Sequence, residues 1–297
     1  MPRKAILALV APLLLGAASC ARSADPNTVL SGEATIALVR AAPDAAAAAG
    51  SGRFEMRVAI DSPNGVFDVV ATGGFTHEQM AMQIDLGSVL KQAAKSSGAT
   101  VPPGFDEPME IVADGATVYL RMPALGALTG AAGWFSVTPD ALGAAGRSLG
   151  LGAAATDPSK LLEVLRGVAD QIDEVGDEDV RGVATTHVRA TIDLDKALQG
   201  LPDARRRSLS DQLGSLAVTD RALPVEVWID GEGLPRRLRM QVGDLAKSAV
   251  AASMGVGGTA TMTIELFDYG QPVTVVVPDA SEVQPLGDLL GAFGGLG

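Results

Sequence analysis

The stretch Arg53-Phe54-Glu55-Met56-Arg57-Val58-Ala59-Ile60-Asp61 puts an apolar side chain at every second position, the period of a β-strand with one dry face and one wet face. The same pattern recurs along the chain. Met80, Met82, Ile84 and Leu86 share one face of a second segment, and Val118, Leu120 and Met122 one face of a third. Val188, Ala190, Ile192 and Leu194 follow, then Leu223, Val225, Val227 and Ile229, then Leu238, Met240 and Val242, and finally Ala260, Met262, Ile264 and Leu266. Strands buried on both faces are apolar throughout, whereas these keep a polar face, so the sheet is antiparallel and wet on one side. Asp61-Ser62-Pro63-Asn64-Gly65, Asp114-Gly115 and Asp230-Gly231-Glu232-Gly233 carry the chemistry of tight hairpin turns between neighbouring strands.

Helical signals interrupt this meander. Thr28 to Ala42 carries Val29, Leu30, Ile36, Leu38 and Val39. Asp157-Pro158 reads as an N-cap followed by proline at the first helical position, with Leu161, Leu162, Leu165 and Val168 as its stripe. Thr138-Pro139 opens a possible short helix, and Asp195 to Leu216 is broken at Pro202 but carries Leu198, Leu201, Leu209, Leu213 and Leu216. The Ala- and Gly-rich stretches 44–50, 141–155 and 243–258 read as loops or loosely packed helices, the last also as a candidate lid. A few amphipathic helices and one long one-sided sheet predict an α+β fold: a large curved antiparallel β-sheet, a half-barrel, with helices packed on its concave face.

The N-terminus has a separate meaning. Arg3 and Lys4 precede the apolar run Ala5 to Leu15, and Ala17, Ala18 and Ser19 lead to Cys20, the sole cysteine. This is the layout of a secretory signal, with an apolar core too short to span a bilayer of about 30 Å. Small residues directly before a cysteine resemble the bacterial lipobox, whose cysteine is acylated and becomes the new N-terminus, although Ala17 stands where that pattern most often has leucine. The expected division is a lipoprotein signal peptide over 1–19, a lipid-anchored flexible tether over 20–28 and one domain over 29–297, exported and held at the extracytoplasmic face of the cell membrane by acylated Cys20. An ordinary secreted protein with a spare thiol is the alternative.

Formal net charge is −12, and removal of Arg3 and Lys4 with the leader makes it more negative. Such a chain is a poor partner for nucleic acid or anionic headgroups through bulk charge. Catalysis finds little support. The two histidines are His77, beside a strand end, and His187, on a polar strand face; with the one cysteine spent on the anchor, no Cys/His metal cluster or thiol nucleophile assembles. Gly146-Arg147-Ser148-Leu149-Gly150 fits the nucleophile-elbow pattern, but Ala141-Leu142-Gly143-Ala144-Ala145 before it is no strand. Gly150-Leu151-Gly152-Ala153-Ala154-Ala155 opens no βαβ unit. The acidic run Asp173, Glu174, Asp177, Glu178 and Asp179 lacks calcium-loop spacing and reads as a solvated hairpin turn. Arg205-Arg206-Arg207 reads as a solvated helix face. Neither catalytic residues nor a metal or cofactor are expected.

Aromatic residues make up only 4% of the chain, while Met56, Met80, Met82, Met240 and Met262 point the same way as the Val and Ile of their strands. Methionine adapts to irregular partners such as alkyl chains. A closed core with methionines as gap fillers satisfies the same periodicity.

Val180-Arg181-Gly182-Val183-Ala184-Thr185-Thr186-His187, Leu223-Pro224-Val225-Glu226-Val227-Trp228-Ile229-Asp230, Leu234-Pro235-Arg236-Arg237 and Phe267-Asp268-Tyr269-Gly270-Gln271-Pro272-Val273 with Pro278 resemble, in this order, the succession in LppX/LprG-type cell-envelope lipoproteins, relatives of the LolA-like lipid-carrier fold. The resemblance covers about residues 180–280 by motif and the first half by strand order. It implies a cavity between sheet and helices that carries lipid or acylated glycolipid across the envelope, a possible membrane transporter partner, and no catalytic residues. The inward strand positions then line the cavity: Met56, Val58, Ile60, Met82, Ile84, Leu120, Val188, Ile192, Val225, Val227, Met240, Met262 and Ile264. An envelope sensor or adaptor of the same fold that binds a protein partner is the second reading, and a structural domain with a filled core the third.

Overall fold

The computed structural model describes residues 32–286 apart from 63–64, 88–89, 92–93, 95–97, 99, 102–103, 105–106, 116, 124–132, 138–157, 200, 204–205, 208–209, 211–221 and 245–257. The leader, Cys20, the tether, Thr138-Pro139, both glycine motifs within 146–155 and most of 243–258 lie outside the described residues.

Among the described residues, two antiparallel meanders make one sheet of 12 strands. The first comprises β1 (Ser51–Ser62), β2 (Gly65–Thr76), β3 (Gln79–Asp85), β4 (Met109–Asp114), β5 (Thr117–Arg121) and β6 (Trp134–Val137). The second comprises β7 (Val168–Val180), β8 (Val183–Asp193), β9 (Ala222–Asp230), β10 (Pro235–Asp244) and β11 (Thr259–Phe267). They join where β1 pairs with β11, from Arg53 opposite Phe267 to Asp61 opposite Thr259. The chain then returns to the far edge, where β12 (Val283–Pro285) pairs with β6 as the parallel exception. The spatial order is β12-β6-β5-β4-β3-β2-β1-β11-β10-β9-β8-β7, an open sheet with β7 and β12 at its edges. Register irregularities in β7 and β10 mark bulges, which bend strands and raise their twist.

The expected antiparallel half-barrel architecture with helices against one face is therefore present, with several differences in detail. The acidic run is not a turn: Asp173 to Asp179 lie within β7, and the turn is Arg181-Gly182, with φ of 51° and 79°. An edge strand tolerates charge because one side is unpaired and wet, and charge there discourages edge-to-edge association. Leu194 ends the expected alternation by opening helix α2 (Leu194–Gln199), and Val168 starts β7 instead of closing the helical stripe before it. β4 escaped the period because Ile111 and Val112, on opposite faces, are both buried.

Helix α1 (Gly32–Ala49) extends past Ala42 through the alanine-rich stretch. Its buried stripe, Thr35, Ile36, Val39, Ala42, Pro43 and Ala46, follows the helical period. The small residues of that stripe let it approach β7 and a 3₁₀ helix, Pro158–Gly167, which contributes buried Leu162, Val164 and Leu165. Two arginines fix this packing: Arg40 Nε donates to the Val168 carbonyl at 3.0 Å, and Arg166 donates to Asp44 at 2.7 Å and Glu163 at 2.7 Å. The Arg166 guanidinium beside Asp44 holds that carboxyl below its usual range. Arg206 donates to the Leu198 and Leu201 carbonyls, so one member of the arginine cluster closes the end of α2 instead of only facing solvent.

Candidate functional site

Strand register sorts the apolar face into rows. Val188, Val227, Leu238, Ile264, Met56, Ala71, Ile84 and Met109 lie opposite one another across β8, β9, β10, β11, β1, β2, β3 and β4. The neighbouring row runs through Ile172, Ala190, Val225, Met240, Met262, Val58 and Val69. All join one hydrophobic cluster, some fully buried and some partly.

Burial divides these rows. Val227, Ile192 and Ile264 are 0% exposed, Val188 and Met262 1%, Met82, Leu120 and Met240 2% and Val225 3%. Side chains with next to no exposed surface lie against packed atoms and not against an open void, so most of the predicted lining is filled core. The described helices cover its second-meander part, with α1 against β7, β9 and β10 and the 3₁₀ helix against β8, whereas Met82 on β3 and Leu120 on β5 are sealed within the first meander. Ile60 at 6% and Ile84 at 9% are nearly as buried.

Met56 and Val58 differ: both keep accessible surface while packing on the cluster, and so do Val69, Leu86, Met109 and Met122. Val58 faces Val69 across β1 and β2, Met109 faces Ile84 across β4 and β3, and Leu86 and Met122 follow the ends of β3 and β5. The result is an apolar band across the first meander, on the dry face, with three methionines. Of its members outside the predicted lining, Leu86 and Met122 stand on faces legible in the sequence, whereas Val69 and Met109 belong to strands whose alternation is obscured.

The opposite face is a network of charges and rings. His187 stacks on Trp228, and the Trp228 Nε1–H donates to Glu178 Oε2 at 2.8 Å. His187 is 8% exposed, with Nδ1 3.6 Å from Glu178 and Nε2 3.4 Å from Glu226. His187 thus keeps the polar strand face the alternation gave it, but is covered there by its cross-strand neighbour Trp228. His77, by contrast, is exposed. Arg237 reaches Glu265 at 2.7 Å and Glu178 at 3.3 Å; Arg181 reaches Glu265 at 2.6 Å and Glu55 at 2.7 Å. The hydrogen bond from Trp228, supported by Arg237 and His187, holds the Glu178 carboxyl below its usual range. Burial pushes the Glu265 carboxyl up, but hydrogen bonds from Arg181 and Arg237 outweigh it and the net shift is downward. A cleft of about 530 Å³ opens on this face, where Arg189 and Arg239 flank Glu226 beside Thr191, Pro224 and Gln241.

Among the described residues no cluster of His, Cys, Asp and Glu is placed to hold a metal ion. No helix among them is long and apolar enough to cross a membrane.

No protein-family model and no curated protein matches the chain. Among solved structures, the lipoprotein LppX of Mycobacterium tuberculosis is similar at 14% identity and TM-score 0.41, over 81% of this chain and 97% of that one. LprF from Mycobacterium bovis is similar at 15% identity and TM-score 0.41, over 82% and 97%. The Pseudomonas aeruginosa MucA/MucB complex is similar at 10% identity and TM-score 0.31, over 83% and 59%. These are distant likenesses.

Proposed function

We propose that this chain is an exported, Cys20-anchored lipoprotein that shelters the acyl chains of a lipid or acylated glycolipid against the dry face of its sheet and carries them across the cell envelope, catalysing no reaction. The observation that carries this reading is the band of Met56, Val58, Val69, Leu86, Met109 and Met122, which keeps surface on a face that packing closes over most of its other positions. A fully buried methylene gains about 0.8 kcal/mol over water and one laid on such a surface gains part of that, so a chain of about 16 carbons finds there an alternative to water during transfer. Transfer requires only that the two environments be close in free energy. The flexible, unbranched methionines suit tails that differ in length and kink.

The test is to purify the full chain from its native host in mild detergent and analyse its organic extract by mass spectrometry. A stoichiometric long-chain species besides the anchor is the expected result. Repeated absence of one, together with no uptake of a fluorescent fatty acid, overturns the proposal.

A further inference from the structure

Where the β7–β8 turn and the start of β10 meet the end of β11, Arg181, Arg236, Leu266, Phe267 and Tyr269 line a cleft of about 520 Å³. Its two arginines arrive from the β7–β8 turn and from the start of β10, and each has donors to spare. The Arg236 side chain is 14% exposed. Its Nε donates to Asp230 Oδ2 at 2.7 Å and its guanidinium lies 5.2 Å from the Tyr269 ring centre, yet among the described residues neither η nitrogen has a hydrogen-bond partner. Asp230 offers it nothing more, because its other oxygen already accepts from the Glu232 and Leu234 amides. A guanidinium carries five N–H donors, so most of those on Arg236 are left to solvent or to a ligand that enters the cleft.

Arg181 is held at φ 51°, a left-handed conformation that costs a side-chain-bearing residue about 1 kcal/mol. The same turn would accept asparagine at less cost. Instead the arginine lies 4.2 Å over Phe267 and uses Nε and one η nitrogen on Glu265 and Glu55, leaving its Nη1 without a partner among the described residues. Asp268, also at the cleft, has φ 52°, and its carboxylate is engaged by Arg53 at 3.1 Å. Strained residues that the surrounding structure holds in place cluster at ligand sites.

We propose that this cleft binds a phosphate group, taken between the spare guanidinium nitrogens of Arg236 and Arg181, with the ligand's adjoining carbons against the half-buried ring of Phe267. A carboxylate is satisfied by the parallel donors of a single arginine; two guanidinia approaching from separate elements suit the three terminal oxygens of a phosphate monoester. The phosphate belongs either to a lipid headgroup or to a small soluble phosphate. The site lies apart from the Met56–Met122 band, so the two readings stand or fall separately.

Full-length protein in non-ionic detergent is titrated, with ³¹P NMR as the readout, using inorganic phosphate in one arm and dihexanoyl phosphatidate in the other. Saturable binding at one site is expected, weakened about tenfold by Arg236→Lys, which keeps the charge opposite Asp230 but loses the fork, and by Gln271→Glu, which adds a carboxylate at the exposed rim. Thermal melting of each variant accompanies the titration, and the rim substitution reads the site even where Arg236→Lys weakens the fold. Tighter binding of phosphatidate than of phosphate assigns the headgroup; equal affinities assign the small phosphate. No saturation by either probe, or unchanged binding in both variants, overturns the site. Phosphatidate binding that survives both substitutions belongs to the apolar band and also counts against the cleft.

Discussion

The imidazole of His187 lies flat on the indole of Trp228, with ring centres 4.0 Å apart and planes inclined by 12°. Arg237 covers the indole 5.1 Å from its centre, and Glu178 on the edge strand accepts the indole N–H. The residues come from β7, β8, β9 and β10, so one cross-strand stack binds the acidic edge to the sheet. It adds to the backbone ladder, interrupted at two bulges, and to the α1 packing and the Arg40 bond that hold the start of β7.

Acid should loosen this face. Glu178 and Glu265 both titrate below their usual range in the folded protein. A depressed folded pKa adds stability that is present above the unfolded value, about 4.3 for glutamate, and is lost as pH falls through the folded value. The melting temperature is expected to fall between about pH 5 and pH 3 and to fall less steeply in Glu265→Gln, which has no carboxylate there to protonate. Equal slopes in wild type and variant would contradict this account.

The Trp228 side chain separates stacking from hydrogen bonding. Trp228→Phe keeps a ring against His187 but loses the donor to Glu178, whose side chain is 47% exposed. Solvent can replace that partner, so a loss of about 1 kcal/mol is expected, whereas Trp228→Ala, at a residue 4% exposed, should cost about 3–5 kcal/mol. Chemical denaturation of both variants checks the ratio.

Two adjacent glycines in β2 should respond unequally to alanine. A Cβ on Gly73 would sit 2.3 Å from the Ala81 carbonyl oxygen and 2.6 Å from the Phe54 ring, so backbone must move. A Cβ on Gly74 would meet the Val273 side chain at 2.8 Å, in the segment that crosses from β11 towards β12, and that side chain can shift. Gly73→Ala is expected to lower stability by about 3 kcal/mol and Gly74→Ala by about 1 kcal/mol. Comparable midpoints for the two variants would show that the crossing segment is as rigid as the strand interior.

The sheet was legible in sequence wherever one face met the core and the other met water, as in Phe54, Met56, Val58 and Ile60. The pattern vanished where that contrast did. β7 carries Asp173 to Asp179 on an edge, where charge is tolerated on either side and period gives way to a run that imitates a turn. Val112 is buried on the polar face, so β4 reads as a short apolar patch. His187 obeyed the alternation, but its burial comes from Trp228 on another strand, which local spacing does not contain. The apolar face was legible as a surface, but which part of it is filled depends on tertiary packing, including where α1 and the 3₁₀ helix dock. The arginine cleft depends on the meeting of turns distant in sequence.

That division of the apolar face gives a discriminating pair of substitutions. Ile264 is 0% exposed, so Ile264→Ala removes contacts that close the core and should cost about 2–5 kcal/mol of stability. It touches no open surface, so fatty-acid affinity measured below the melting transition should stay near that of the wild type. Met56 and Val58 stand one strand away and keep surface. Met56→Gln with Val58→Thr replaces apolar contact by polar groups that water can reach, costing about 1 kcal/mol of stability or less but about tenfold in affinity for a fluorescent fatty acid. Equal loss of affinity in both variants would mean that the tail is gripped by the sealed part after its helices move aside, and the open band would lose its role.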